Sequence, residues 1–478
     1  MTISGALNNA LSGLNTTSRM AEVVSSNLSN ALTDGYGRRS VDLASASLGG
    51  VSVTGIKRHV DAGLLADRRL ADAALSGQQR SVETLNRLEK IVGDPEDPDG
   101  LNARLAAFEQ SLINASSDPA SEHRLSNVVS RLQALTEALH ENNRSIQNLR
   151  VEADQSIARD VEDLNSALLQ VGELNKDILR LKSTGNDISS VLDARQKVVD
   201  RIAEIVPIRE IPRDNDTIAL MTTTGTTLLD GRAVQFGFEP TPTITADMTL
   251  TSGALSGVTL DGVPIDSADG IGRLDGGSLG AAFTLRDQTL TEAQAALDGL
   301  AGDLIARLQD PGTDPTLVAG DAGLLTDQGA PLDILDIPGL AGRIAINTSV
   351  DPAQGGDLSA LRDGLNAAAP GPVGSATQLD RWIDALQSQR GDLPGMPARS
   401  AAGHFAEFTR DVGSARLQSE ESLSFASARW DTLREAELAD GVDSDQQLQI
   451  LLQVEQAYAA NARVIQTVDF MMQRLMEI

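Results

Sequence analysis

Each end of this chain carries an amphipathic stripe with no neighbour in sequence to cover it. From Ile3 to about Leu32, the residues Ile3, Leu7, Ala10, Leu14, Thr17, Ala21, Val24 and Leu28 recur alternately four and three apart. That spacing draws one narrow helical face of coiled-coil width. Leu451, Val454, Tyr458, Asn461, Ile465, Val468, Met472 and Leu475 follow the same rule at the other end. An amphipathic helix ordinarily belongs to its own protein's core. These two lie at the extremes of the chain, are rich in Asn, Gln, Ser and Ala, and are too weakly apolar to stay folded alone. They are expected to pair with each other or with neighbouring copies. Residues 1–90 hold ten Lys/Arg and eight Asp/Glu, net +2, whereas residues 430–478 hold three and nine, net −6. The ends therefore attract, but exposed ion pairs contribute only tenths of a kcal/mol each, so the apolar seam must supply most of the association energy. Asn461, at a seam position, is expected to favour one register at some cost in stability.

Between the ends, helix signals recur at about 61–91, 100–116, 119–182 and 186–206, where Asp187 is placed to cap, and Pro207 closes the block. From Ile208 the period shifts to two around turn pairs such as Asp230-Gly231, which predicts short strands in hairpins. Helix returns at 278–310. A Gly/Asp/Pro-rich stretch from 311 to 375 holds one plausible strand, "GRIAINTSV", and helices resume near 376 with a break around Gly391–Pro397. No fixed-period repeat is present. The pattern predicts a mainly α fold with a smaller β-rich part, elongated and multidomain. Residues 1–58 with 436–478 form a terminal coiled-coil inner domain. Residues 59–206, 278–310 and 376–435 form a helical-bundle middle domain, and residues 207–277 with 311–375 form the β-rich or loop part.

Composition narrows the function. With 39 Lys+Arg against 67 Asp+Glu the net charge is −28, which repels phosphate backbones and argues against nucleic-acid or anionic-membrane binding. Cysteine is absent, which removes disulfides and thiol chemistry. Aromatics are only 3%, so the cores must be built from Leu, Ile, Val and Ala. The first charged residue is Arg19, and no apolar run of signal-peptide or membrane-span length is expected.

The motifs that could carry chemistry each have a plainer reading. Gly276-Gly277-Ser278-Leu279-Gly280 matches a nucleophile elbow, but a glycine turn with Ser278 capping the next helix explains it, and His404 is the only histidine downstream. Asp94, Glu96, Asp97 and Asp99 precede Gly100 in a calcium-loop style, yet in that register the first ligand falls on Pro95 and the bidentate acid on Ala106. His59, His123, His140 and His404 show no metal-ligand spacing. Arg38-Arg39 and Lys57-Arg58-His59 are the densest basic spots and suit an acidic protein partner or plain solvation. No catalytic constellation, cofactor site or metal site is expected.

The stretch "SGLNTTSRMAEVVSSNLSNALTDGYGRRSVDLAS" resembles the N-terminal signature of bacterial flagellar axial proteins of rod, hook and hook–filament junction. There, a helix bearing "SGL" is followed by an "N-(I/L)-(A/S)-N" element and a "GY" turn with a basic residue beyond. The matching positions are Ser12, Gly13, Leu14, Asn27, Leu28, Ser29, Asn30, Gly35, Tyr36 and Arg38. "GLNARLAAFEQSLINASSDPASEHRLSNVVSRLQALTEAL" and "GGSLGAAFTLRDQTL" are similar to the helical domain of the hook-associated protein 1 family of that junction. The last helix resembles the same family through Gln456, Ala457, Tyr458, Ala460, Asn461, Ala462, Ile465 and Gln466. Two departures stand out: a reduced outer domain, with only the loop-like 311–341 in its place, and Val442-Asp443-Ser444-Asp445 where the family is closer to "VNLDEE".

The resemblance implies a structural, non-enzymatic subunit that polymerises as a ring or helical layer on the hook end. Its implied partners are further copies of itself, the hook protein, a second hook-associated junction protein, a flagellar export chaperone and the type III export apparatus. The implied location is the extracellular flagellum, reached without a cleaved signal peptide. The implied assembly interface is Leu7, Leu14, Asn27, Leu28, Asn30, Gly35, Tyr36, Leu451, Val454, Tyr458, Asn461, Ile465, Val468, Met472 and Leu475, with a chaperone holding Leu451, Tyr458, Ile465 and Met472. The alternatives are another axial subunit, of hook or flagellin type, or a secreted coiled-coil effector or adhesin.

Overall fold

The computed structural model describes residues 3–47, 49–93, 97–265, 271–391 and 393–476. Asp94, Pro95 and Glu96 of the acidic loop lie outside the described residues.

Helix α1 (Ile3–Ser29) leads through a turn into an antiparallel hairpin, β1 (Arg38–Ser45) and β2 (Val51–His59), with a register shift at Asp42/Leu43. Four helices follow: α2 (Ala62–Val92), α3 (Leu101–Ser116), α4 (Glu122–Ser183) and α5 (Ser189–Ile205). Their ends are written in capping chemistry. The Asp61 side chain accepts from the Gly63 and Leu64 amides to start α2, and Gly93 at φ +89° ends it, a conformation that glycine adopts without Cβ strain. Ser121 caps α4, whose first turn carries Glu122 and whose last carries Arg180 and Lys182, each matched to its end of the helix dipole. Asp187 accepts from the Ser189 amide and hydroxyl just ahead of α5.

At 1.5 Å per residue the 62 residues of α4 span about 93 Å, so this helix is the long axis of an elongated molecule. Its apolar stripe is buried from Leu125 to Ile178, longer than one core can cover, and two cores divide it. The first packs Leu125–Leu149 of α4 against the C-terminal half of α2 and α3. It also takes in α7 (Leu290–Gln309), the short α8 (Ala360–Asp363), α9 (Thr377–Gln387) and the start of α10 (Ala401–Asp440). The second packs Ile157–Val171 of α4 against α5, α6 (Gly277–Thr284) and a four-stranded antiparallel sheet. That sheet is β3 (Ile208–Pro212), β4 (Ile218–Thr222), β5 (Thr227–Asp230) and β6 (Arg232–Ala233), and Gly231 at φ +73° makes the tight Asp230-Gly231 turn. A smaller sheet of β7 (Phe236–Gly237), β8 (Thr259–Leu260) and β9 (Val263–Pro264) joins the same core.

The strand in "GRIAINTSV" is β11 (Ile344–Ile346), and it pairs with β10 (Leu325–Asp327). The 207–277 and 311–375 segments, alike in composition, do not share a core: the first packs in the α5–α6 core, and Leu317, Leu324, Ile344, Val350 and Leu361 of the second pack in the α3–α7–α9 core. The 278–310 helix is continuous but contains a π-helical turn at Leu285–Thr289 between α6 and α7.

Three fully buried arginines tie irregular chain to helix. Arg150 donates to the Thr245 and Met248 carbonyls at 3.1 and 2.7 Å. Arg286 pairs with Asp154 at 2.6 Å beneath the Phe238 and Phe283 rings. Arg307 pairs with Asp303 and donates to the Ser388 and Arg399 carbonyls at 2.7 and 2.6 Å. Charges at this depth persist only with such complete hydrogen bonding.

Helix α10 returns along α2, and α11 (Ser444–Met476) returns along α1. The chain thus ends where it began.

Candidate assembly interface at the joined termini

Helices α1 and α11 run antiparallel. The Asn27 amide donates to Gln447 Oε1 at 2.9 Å, and Gly13 faces Asn461, so the two contacts lie 14 residues apart on each helix in opposite directions. A Cβ at Gly13 would sit 2.6 Å from the Asn461 side chain. This glycine is what lets the helices approach there.

The buried side of α1 is Ala10, Thr16, Thr17, Val23, Val24 and Asn27, and that of α11 is Gln447, Val454 and Val468. Of the residues singled out in sequence, Ala10, Thr17, Val24, Asn27, Val454 and Val468 are buried. Leu14, Leu451, Asn461 and Ile465 are half-buried, and Leu7, Leu28, Tyr458, Met472 and Leu475 are exposed in the single chain. The intrachain seam is therefore made of small and polar residues, and the large aliphatics lie beside it. Of the four residues assigned to a chaperone, Leu451 and Ile465 lie half-covered, whereas Tyr458 and Met472 are open.

The turn after α1 is a hydrogen-bonded knot centred on Asn27. Its Oδ1 accepts from the Tyr36 hydroxyl and the Arg39 amide, both at 2.9 Å, and its Nδ2 donates to the Arg39 carbonyl at 2.8 Å. Tyr36 also meets Ser26 Oγ at 3.2 Å and lies under the Arg39 guanidinium, 4.8 Å from the ring centroid. Asn30 bonds back to the Ser26 carbonyl. Gly35, at φ +72°, passes under the Lys197 stem, where a side chain would collide. The scarce tyrosine thus clamps the exit of α1 to the hairpin, and Asn27 ties the same knot to α11.

A second clamp joins this unit to the body. Asp193 of α5 accepts from Arg39 at 2.6 Å, from Arg58 at 2.7 Å and from the Gly37 amide at 3.1 Å, with all three side chains largely buried. Two of the five basic residues, Arg39 and Arg58, thus turn inward. On the opposite face, His59 bonds to Ser40 Oγ at 2.7 Å, and burial, then Arg38 and Lys57, hold its pKa below the ordinary value.

Below the hairpin, Arg68 reaches Asp72, Asp200 and Glu437 at 2.6–2.7 Å. Arg69 joins Asp200 to Glu210, Trp430 donates to Asp72 at 2.6 Å, and Arg434 pairs with Asp34 and Glu437. Burial pushes the Asp72 carboxyl up, opposed by Arg68 and Trp430. The ion pairs joining the two ends of the chain, Arg434 with Asp34 and Arg68 with Glu437, thus sit at this waist. Sequence reading missed them because their partners are hundreds of residues apart.

The remaining motifs are structural. Helix α6 begins at Gly277 after an uncapped Gly276, so Ser278 does not cap it. Its hydroxyl instead donates to Asp160 at 2.8 Å, and Arg80 bridges Asp160 and the Ser278 carbonyl. Asp99 pairs with Arg104, and Asp443 caps α11 through the Asp445 and Gln446 amides. Among the described residues no group of three or more His, Cys, Asp or Glu is placed to hold a metal, and no helix is long and apolar enough to cross a membrane.

Comparison with known proteins agrees with this layout. Residues 7–36 match the flagella basal body rod protein family, and residues 439–478 match the C-terminal family of flagellar basal body rod FlgEFG proteins. Rod-type sequences at both ends, folded into one antiparallel pair, define a flagellar axial protein. Residues 85–314 match the flagellar hook-associated protein FlgK helical domain. Flagellar hook-associated protein 1 of Salmonella typhimurium is 27% identical over 63% of this chain and 55% of its own length, and that of Bacillus subtilis is 22% identical over 94% and 93%. The chain thus spans about half the length of the Salmonella relative. The solved structure of the flagellar hook junction protein FlgK from Burkholderia pseudomallei shares the fold, with a TM-score of 0.57 at 13% identity, covering 78% of this chain and 99% of that one. The helical body over residues 85–314 thus matches the FlgK helical domain, and the chain is similar in sequence to flagellar hook-associated protein 1.

Proposed function

We propose that this chain is a structural subunit of the bacterial flagellum that polymerises on the hook end and adapts it to the next junction protein and the filament. The observation that carries this reading is the pairing of α1 with α11, knotted at Asn27 and Tyr36 and clamped through Arg39, Arg58 and Asp193 to a body similar to the hook-associated helical domain. A pair with open apolar sides can pack into a tube wall, and a body fixed at a set angle can present a second surface outward. Residues 1–58 with 436–478 act as the inner domain, and Leu7, Leu14, Leu28, Leu451, Tyr458, Ile465, Met472 and Leu475 serve assembly.

The partners under this reading are further copies, the hook protein, the second hook-associated junction protein, and an export chaperone with the type III apparatus. The chaperone takes α11 before assembly, at Leu451, Tyr458, Ile465 and Met472. The location is the extracellular flagellum, and no catalytic step is part of the role. The test is a deletion strain complemented with the wild-type chain: restored filaments support the role, whereas normal filaments in the deletion itself overturn it.

A further inference from the structure

We propose that residues 238–256 are a latch across a polar seam in the body: closed, it makes the two cores move as one piece, and open, it lets them flex against each other at the π-helical turn. This concerns the body alone and stands whatever the terminal helices assemble with.

The seam lies where the apolar stripe of α4 is interrupted. Leu149 is the last residue of that helix in the first core, and Ile157 is the first in the second. Between them Arg150 and Asp154 point inward, both fully buried. The neighbouring helix changes over at the same level. Phe283 is its last residue in the second core, Leu290 its first in the first core, and the π-turn Leu285–Thr289 stands between them. Helices bend most readily at such turns. Helix α4 crosses the seam unbroken, so the motion is a flexing of packed faces and not a separation.

Residues 238–256 bridge this seam with no helix or strand of their own. They leave the second core at β7 and return to it at β8, and midway Ala246 lies against Gly339, beside Leu340 of the first core. What holds them is polar and converges on three side chains. The Thr241 amide donates to Asp154 at 2.6 Å, and Arg150 donates to the Thr245 and Met248 carbonyls. Arg286 donates to the Ser256 carbonyl at 3.0 Å and lies over the Phe238 ring. Arg150 also donates to the Arg286 carbonyl in the π-turn at 3.2 Å. Strap, α4 and π-turn therefore share one network built on the Arg286–Asp154 pair.

Such a network is kept or lost together, because removing one partner leaves a buried charge uncompensated. The strap's apolar hold is slight beside it. Its buried aliphatics, Ile244 and Leu255, belong to neither core. Next to it lies a cavity of about 270 Å³, lined by Thr249, Leu250 and Thr251 of the strap and by Phe283, Asp287 and Gln288 across from them. A segment fixed by a few convergent bonds beside open space opens as a unit, at a cost below that of global unfolding.

Hydrogen exchange of the full-length chain, read by mass spectrometry, tests the latch. In Arg150→Met the amides of 238–256 should exchange together about tenfold faster than in the parent, with those of α3 and β4 unchanged. The chain has no cysteine, so spin labels can be placed at Gln110→Cys on α3 and Thr227→Cys on β5, exposed positions on opposite sides of the seam. The distance distribution between them should broaden in the same variant. Thr241→Pro is a milder release, since it removes only the amide bonded to Asp154, at a site already flanked by Pro240 and Pro242. It decides the matter if Arg150→Met does not fold. Strap amides that exchange only at the rate of the whole body in the released chain overturn the latch. A freed strap with an unbroadened distance overturns its coupling of the two cores.

Discussion

Asn27 is buried with both ends of its amide engaged, by Tyr36 and Arg39 on one side and by Arg39 and Gln447 on the other. Asn27→Ala removes these partners at once and leaves the Arg39 amide and carbonyl short of a bond. It should lower stability by roughly 2–3 kcal/mol, against about 1 for Tyr36→Phe, as read by denaturant unfolding. An Asn27→Ala loss no larger than that of Tyr36→Phe would remove Asn27 from the centre of the knot. His59 adds a pH dependence. Its folded pKa lies below the ordinary value of about 6.5 because of burial and the Arg38 and Lys57 charges. The unfolded chain therefore takes the proton more readily, so this group's contribution is complete above the unfolded value and is lost as pH falls through the folded one. His59→Gln should accordingly show a smaller fall in Tm between pH 7.5 and 5 than the parent chain, and an equal fall would count against it.

At the scale of elements, the helices were legible because a 3.6-residue apolar period survives any packing partner. The extents of α2, α3, α4 and α5 follow from it, whereas the division of the last helical run into α10 and α11 at Gly441 does not. The β1–β2 hairpin was not legible: its strands alternate poorly, a register shift interrupts them at Asp42/Leu43, and its partners are Ser12 of α1 and Asp193 of α5. The pairing of the terminal helices was legible, and the side used was legible in part: Ala10, Thr17, Val24, Val454, Asn461 and Val468 of the two stripes meet at the seam, whereas the large leucines of the same stripes lie beside it. Hydrophobicity favours leucines, whereas close approach favours Gly13, Ala10 and Thr17. Gly13→Leu should therefore splay α1 from α11, with Asn461→Ala restoring part of the loss. Protease resistance of the terminal helices measures this, and a wild-type pattern for Gly13→Leu would contradict the packing. Leu14→Asp or Ile465→Asp should abolish polymerisation while leaving the far-UV circular dichroism of the helical body intact. Loss of the body's signal would show that the ends are not separable from it.

At the scale of the whole molecule, the long α4 and its two cores make a stiff lever, and the Asp193 clamp with the Arg68 and Arg69 ion-pair network sets its angle to the terminal coil. Asp193→Ala leaves Arg39 and Arg58 without their shared carboxylate, so it should broaden the distribution of maximum dimensions in small-angle scattering while the body's Tm stays within about 2 °C. An unchanged distribution would place the control of angle elsewhere. The central claim, that this chain is the junction between hook and filament, is tested most directly by immunogold electron microscopy of intact flagella with an antibody to residues 60–430. A junction subunit gives label confined to one narrow band at the distal end of the hook. Label along the whole filament, or none on flagella, would contradict that claim.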